Sequence, residues 1–200
     1  MKILPAILGA AAVALLAPTQ MQQAHAAALT VVNVNAPKVN CVFDATCKVI
    51  VNDSVGNLTF TQLGNGARLQ SRTYAAKPGT PGAGTTVYEY RVDLTAGVVW
   101  SDCISGMVIN FGPVQKLNYP PKTPGHVFVV TTGGLGSDGI ASAEQDGDVI
   151  TFNFSHPLCA GKTSFFFGLA AKTAPAKTTA TLFGIGSPPL VQADARAPQH

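Results

Sequence analysis

Short runs of alternating hydrophobic and polar residues, broken by Gly, Pro, Asn and Asp, dominate this chain, and their period is two rather than 3.6. The pattern predicts strands at Leu29–Val34, Lys48–Asn52, Asn57–Leu63, Arg68–Tyr74, Thr85–Leu94, Ile104–Phe111, His126–Thr132, Asp148–Phe154, Thr163–Ala170 and Lys177–Phe183. In Thr85–Leu94, one face carries Thr86, Tyr88, Tyr90, Val92 and Leu94, and the other Thr85, Val87, Glu89, Arg91 and Asp93. Ile150, Phe152 and Phe154 alternate with Val149, Thr151 and Asn153 in the same way. Val127–Val130 is apolar on both faces, as a central strand requires. Phe165, Phe167 and Leu169 fall on one face, leaving Phe166 to the other.

Turn chemistry punctuates these runs. Asp146-Gly147 suits a two-residue type I′ hairpin, whose central positions need positive φ. Lys77–Gly84 and Pro120–Gly125 are too rich in Pro and Gly for a helix or a sheet interior. No window offers a helical stripe bounded by caps, and Ile140–Asp146 has room for one short turn at most. Many short strands at near-regular spacing point to an all-β fold, an antiparallel β-sandwich. The segment after Gly184, with Pro188, Pro189 and Pro198, is expected to be extended or mobile. The predicted organisation is therefore one domain over residues 27–186 and a tail over 187–200.

The first 26 residues add an address. Lys2 precedes an uncharged apolar run, Ile3–Ala17, and Ala24-His25-Ala26 is a small-residue cleavage pattern, so residues 1–26 read as a signal peptide. The run is too short for a stable membrane span. The mature chain is expected to begin near Ala27 and to be secreted or periplasmic, with no direct membrane insertion once the leader is removed. Of the charged residues only Lys2 leaves with it, so 12 Lys+Arg face 10 Asp+Glu, a net charge of about +2. That balance excludes a field able to hold a polyphosphate backbone, and no nucleic-acid partner is expected. Four cysteines, Cys41, Cys47, Cys103 and Cys159, remain in the exported chain and imply two disulfides with three possible connectivities. The short Cys41–Cys47 segment favours a local bridge, which would leave Cys103 to pair with Cys159. Neither C-x-x-C nor a paired-histidine spacing argues for a metal site instead.

Several patterns resemble catalytic or binding motifs, and each has a plainer reading. Gly134, Gly136 and Gly139 form a literal G-x-G-x-x-G after an apolar strand, but no crossover helix fits before the next strand. Gly161-Lys162-Thr163 resembles the end of a P-loop, yet His156 occupies the position of its first glycine. No G-x-S-x-G elbow accompanies His126, His156 or His200, so no catalytic residue is assigned. A site built from His126 or His156 with Asp138, Glu144 or Asp148 would make the chain a small secreted hydrolase. Asp138, Glu144, Asp146 and Asp148 are weak candidates for Ca²⁺ oxygens, although their spacing is not that of an EF-hand and two of them suit a hairpin turn. No cofactor is called for. Trp100, Tyr88, Tyr90 and Tyr119 are possible ligand-binding rings, which would have to be exposed and coplanar to serve a carbohydrate-binding module. Asn52, Asn57 and Asn153 open N-glycosylation triplets, which matter only in a eukaryotic pathway.

The segment Cys159–Ala170, followed by Pro175 and Thr178–Thr181, resembles the last two strands of uncharacterised bacterial exported β-sandwich proteins, and Val129–Gly136 is similar in style. Some of those proteins carry a C-terminal Pro-Glu-Pro-type sorting anchor, which Asp194–Pro198 does not match. The resemblance covers the C-terminal half and implies a fold and an exported location, with no activity. The expected role is structural or binding, at the envelope or outside the cell, with a protein or extracellular polymer recognised by a sheet face, an edge strand or loops.

Overall fold

The alternating runs form fourteen strands among the described residues, which in this computed structural model are 26–56, 67–96, 103–133, 135–184 and 189–200. The predicted strand Asn57–Leu63, Trp100, Gly134 and the leader up to His25 lie outside the described residues. In chain order the strands are β1 (Ala27–Leu29), β2 (Val31–Asn35), β3 (Asp53–Val55), β4 (Arg68–Ala75), β5 (Thr86–Asp93), β6 (Ile104–Asn110) and β7 (Leu117–Tyr119). There follow β8 (Thr123–Gly125), β9 (Val127–Thr132), β10 (Ile140–Asp146), β11 (Val149–Leu158), β12 (Phe166–Ala171), β13 (Pro175–Gly184) and β14 (Pro189–Pro198). Sheet I has the order β1-β10-β11-β6-β13-β14, sheet II the order β2-β9-β12-β5-β4-β3, and β7 and β8 make a separate hairpin. Every pairing is antiparallel except β2 with β9.

Between the sheets lies the main core. Tyr88, Tyr90 and Val92 of β5 face Met107 and Ile109 of β6 and Ile150 and Phe152 of β11 in one buried cluster. Phe167 is its aromatic hub, with ring centroids 5.2 Å from Phe152, 5.8 Å from Phe154 and 5.9 Å from Tyr90. Offset and edge contacts of this kind add to the area the rings bury.

A second core covers the outer face of sheet II. The segment after β2 folds back over the sheet through a single 3₁₀ turn, Val39–Cys41, and inserts Phe43. The Phe43 ring meets Phe128 at 4.8 Å, Tyr119 at 6.2 Å and Tyr74 at 6.3 Å. This cover explains why Val127–Val130 and all of β12 are buried on both faces. Phe166 turns into this second core, while Phe167 and Leu169 turn into the first.

Both disulfides form, Cys41–Cys47 with a Cα separation of 4.2 Å and Cys103–Cys159 with one of 4.3 Å. The first closes the covering loop. Asp44 braces that loop by accepting bonds from the Thr46 amide and hydroxyl, and these bonds hold its carboxyl below the usual range. The second ties the start of β6 to the end of β11. The bridges agree with an exported chain, and among the described residues no helix is long and apolar enough to cross a membrane.

Lys48–Asn52, expected as a strand, does not form one, and the strand nearby is Asp53–Val55. Three further elements also depart from the pattern-based expectation. Ile140–Asp146 is a strand, not a turn of helix. A bulge between Ile140 and Ser142 shifts its phase, so only Ile140 and Ala143 are buried and the alternation is lost from the sequence. The tight turn that follows lies one residue later than expected. Asp146 pairs with Val149, so Gly147 and Asp148 form the loop, and among these two only Gly147 has a left-handed φ, 56°. The segment after Gly184 is no separate tail, because Pro189–Pro198 is the edge strand of sheet I. Ala193, Ala195 and Ala197 fill its inward positions, residues too small to announce a buried strand.

Sheet edges invite unwanted pairing unless they are short, charged or covered. On one side the chain covers them by crossing at Thr30, β1 joining sheet I and β2 sheet II. His126 fixes the crossing, its Nδ1 accepting the Thr30 amide at 3.0 Å. Burial and nearby Lys116 hold that imidazole below its ordinary pKa, as an acceptor nitrogen requires. On the other side β14 lies beside β4 and β3. The Arg196 amide donates to Ser71 Oγ at 3.0 Å, the Arg196 carbonyl accepts the Tyr90 hydroxyl at 2.6 Å, and the guanidinium pairs with Asp53. Bonding to Arg196 keeps the Asp53 carboxyl below its usual range. Ser71→Ala strands a buried amide and is expected to cost about 1–2 kcal/mol in urea unfolding, with Thr at the same position restoring part of the loss.

Candidate functional site

Tyr88, Tyr90 and Tyr119 are fully buried, so they form no exposed platform for a sugar face. Their rings serve the two cores instead. Tyr88 donates to the Thr173 carbonyl at 2.9 Å and Tyr90 to that of Arg196, and burial pushes all three phenols above their ordinary range. Trp100 is not among the described residues.

Strand direction separates the four acids proposed as cation ligands. Asp138 precedes β10, Glu144 lies within it, and Asp146 and Asp148 sit at its far end, a strand of seven residues or roughly 20 Å away. Among the described residues no group of three potential ligands comes together. His126 stands at the start of β9, whereas Asp138 and His156 lie beyond its other end. Only Asp138 and His156 meet, with Nδ1 of the largely exposed imidazole 2.8 Å from Oδ1. A histidine oriented by a carboxylate still needs a hydroxyl or thiol to activate. Among the described residues none bonds to this imidazole, and Cys159 is held in a disulfide.

Charge gathers elsewhere, on the outer face of sheet II beyond the Phe43 cover. β4 sends Arg68, Gln70 and Arg72 to this face at alternate positions. The register with β5 sets Arg68 opposite Asp93, Gln70 opposite Arg91 and Arg72 opposite Glu89. Cross-strand neighbours of opposite charge stabilise such pairs. Arg68 lies 3.7 Å and Arg91 3.4 Å from Asp93, and Arg72 lies 3.5 Å from Glu89. Phe166 of β12 is flanked by two guanidinium groups, Arg72 at 5.3 Å and Arg91 at 5.6 Å from its ring centroid. Arg72 also donates to Asn40 Oδ1 at 2.9 Å, and Arg91 to Thr163 Oγ1 at 3.0 Å. Two guanidinium groups, each with a hydrogen-bond partner of its own, therefore share one aromatic ring.

The two carboxylates differ. Burial pushes Asp93 upward, but bonds from Thr95 and the charges of Arg91 and Arg68 more than offset it, so Asp93 stays below its usual range and ionised. Glu89 is fully buried, and burial pushes it up to about 7 against the pull of Arg72 and the Tyr74 hydroxyl. Its Oε1 accepts the Tyr74 hydroxyl, and its Oε2 has no hydrogen-bond partner. Near neutrality Arg72 is thus only partly compensated.

Two depressions adjoin on this face. One, of about 230 Å³, is lined by Ser54, Gly56, Arg68, Gln70, Arg91 and Asp93. The other, of about 350 Å³, is bordered by Lys38, Asn40, Gln70, Arg72, Leu135 and Phe166. Gln70 is their common wall. Four cations, one of them the exposed Lys38, surround this double depression, and Leu135, 61% exposed, supplies an apolar rim. Sequence reasoning placed Glu89, Arg91 and Asp93 on one strand face but not this site. The available signal was Arg-x-Gln-x-Arg on the neighbouring strand.

Comparison of the chain with family models, curated proteins and solved structures gives no match.

Proposed function

We propose that this is a non-catalytic exported protein that recognises an extracellular or envelope polymer or protein through the outer face of sheet II. The observation that carries the reading is the row Arg68-Gln70-Arg72 with Arg91, lining two depressions that share Gln70. Guanidinium groups held by neighbours lose little freedom on binding and match carboxylate, sulfate or phosphate geometry with two parallel bonds. The rigid sandwich and its disulfides suit a protein that works as a preorganised surface. The resemblance to exported β-sandwich proteins supports the same location, secreted or periplasmic.

The test is retention on bacterial envelope and extracellular-polymer preparations. Retention by the wild-type protein is expected to fall as salt rises, because exposed charge is screened. Arg68→Glu, at a side chain 59% exposed and opposite Asp93, is expected to abolish most of the retention while the protein stays folded, with a modest fall in thermal stability from the like-charge pair it creates. Equal retention of wild type and variant would overturn the reading.

A further inference from the structure

We propose that Arg72 is a pH-sensitive latch on the cover of the second core, holding Asn40 while Glu89 is protonated and turning to Glu89 when that carboxyl ionises. The latch stands on its own geometry. Its effect on binding rests on the outer face of sheet II being the recognition surface.

Asn40 lies in the single turn, Val39–Cys41, through which the segment after β2 folds back over sheet II. Arg72 reaches it from β4, Nη2 donating to Asn40 Oδ1 at 2.9 Å. Nη1 of the same guanidinium stands 3.5 Å from Glu89 Oε2, beyond a charge-assisted bond. One planar cation thus stands between the cover and a fully buried carboxyl, and of the two it is hydrogen-bonded only to the cover.

This arrangement suits a protonated Glu89. Its Oε1 accepts the Tyr74 hydroxyl, and its Oε2 has no partner. Loss of the proton to solvent puts a full charge on a buried group with one oxygen unsatisfied, a state that calls for a donor. That charge attracts the guanidinium more strongly than an amide oxygen does, because screening is weak in the interior. The planar group moves as one body, so closing the gap to Oε2 displaces Nη2 and releases Asn40.

The surroundings of Glu89 leave Arg72 as the answering charge. Tyr74 of β4 is already used, and neighbouring Tyr119 of β7 is a neutral phenol whose hydroxyl also lacks a partner. β12 sets Gly168 opposite Glu89 and β9 contributes Phe128, neither of which titrates. Arg91, two residues along β5, is engaged with Asp93. On the cover, Lys38 is exposed and Asp44 is braced by Thr46. Burial sets the Glu89 carboxyl at about 7, so the latch works near neutrality.

The Cys41–Cys47 bridge and the Phe43 ring, seated on Phe128, confine the movement to the turn at Asn40. The depression bordered by Lys38, Asn40, Gln70 and Arg72 changes shape at that edge, and the Arg72 charge becomes compensated.

Amide exchange of the full mature chain at pH 6 and pH 8, expressed as protection against the intrinsic rate, tests the latch. The Cys41 amide donates to the Lys38 carbonyl across the turn and is expected to lose protection about tenfold at pH 8, roughly the worth of one hydrogen bond. The Lys77 amide, held by the Phe43 carbonyl, should keep its protection. Glu89→Gln should leave the turn protected at both values, and Asn40→Ala should leave it unprotected at both. His126, also displaced from its ordinary pKa, is intact in both variants, so its contribution cancels. Unchanged Cys41 protection in the wild type, or a loss that persists in Glu89→Gln, would overturn the latch. Retention on the envelope preparation should fall from pH 6 to pH 8 in the wild type and not in Glu89→Gln. Retention indifferent to pH would overturn the link between latch and surface. No retention at either pH would overturn the surface and leave the latch.

Discussion

Gly168→Ala is expected to destabilise the protein by about 3–5 kcal/mol, or to yield no folded protein. Gly168 lies in β12, opposite Glu89 of β5 on one side and Phe128 of β9 on the other. A Cβ built there would run into the Tyr88 carbonyl and press on the Phe128 ring. Neither can yield cheaply. The carbonyl belongs to a strand paired with both β12 and β4, and Phe128 is clasped by Phe43 in the second core. Its backbone conformation plays no part in this, because what matters is close approach. Urea unfolding at constant m-value measures the loss. A change below about 1 kcal/mol, in the range of ordinary surface substitutions, would mean that β12 and β5 are not paired as described.

Glu89→Gln is expected to stabilise the protein above pH 7 by up to about 3 kcal/mol, the equivalent of the rise from 4.5 to about 7. The sign follows from proton counts. Between these values the folded chain keeps the Glu89 proton while the unfolded chain loses it. The contribution of this residue is therefore fully present below pH 4.5 and is lost as pH rises towards 7. Other groups act in the opposite sense. His126, held below its ordinary pKa, adds stability as the unfolded chain loses its histidine proton, and Asp44, Asp53 and Asp93 add theirs at lower pH. The difference between wild type and variant isolates Glu89. Glutamine keeps an oxygen for the Tyr74 hydroxyl, and Arg72 keeps its bond to Asn40. Unfolding at pH 5 and pH 8 decides the matter. A variant less stable at pH 8 would show that the Arg72 ion pair outweighs the burial of the charge.

The cost of burying Glu89 also bears on function. A fold selected only for stability has better residues for that position, and an apolar side chain of similar size often replaces a buried ion pair without loss. Its place beside Arg72 links the interior of the second core to the charged face.

How much of this was legible in the sequence varied with the physics of each element. β5 announces itself by alternation, whereas β9 and β12 announce themselves as apolar runs buried on both faces. The disulfide pairing followed from the short spacing of Cys41 and Cys47. β10 and β14 stayed hidden for different reasons, one because a bulge breaks its phase and the other because alanines line its inner face. The tyrosines misled as ligand rings because the Tyr88–Tyr90 face of β5 looks solvent-exposed until sheet I is known to pack on it, and Tyr119 until the second core is known. Glu89 was obscured in the same way. Its strand places it on a polar face, and only the folded cover of Val39–Phe43 turns that face into an interior. The charged site needed the β4–β5 register, which local pattern does not supply.

The outer face of sheet II as a binding surface is tested most directly by mapping backbone amide shifts of the labelled protein as a soluble fraction of the envelope or extracellular-polymer preparation that retains it is added. The expected perturbations cluster at Ser54, Gln70, Arg72, Arg91 and Phe166, with sheet I silent. Perturbations concentrated on β13 and β14, or at the Asp138–His156 pair, would contradict it.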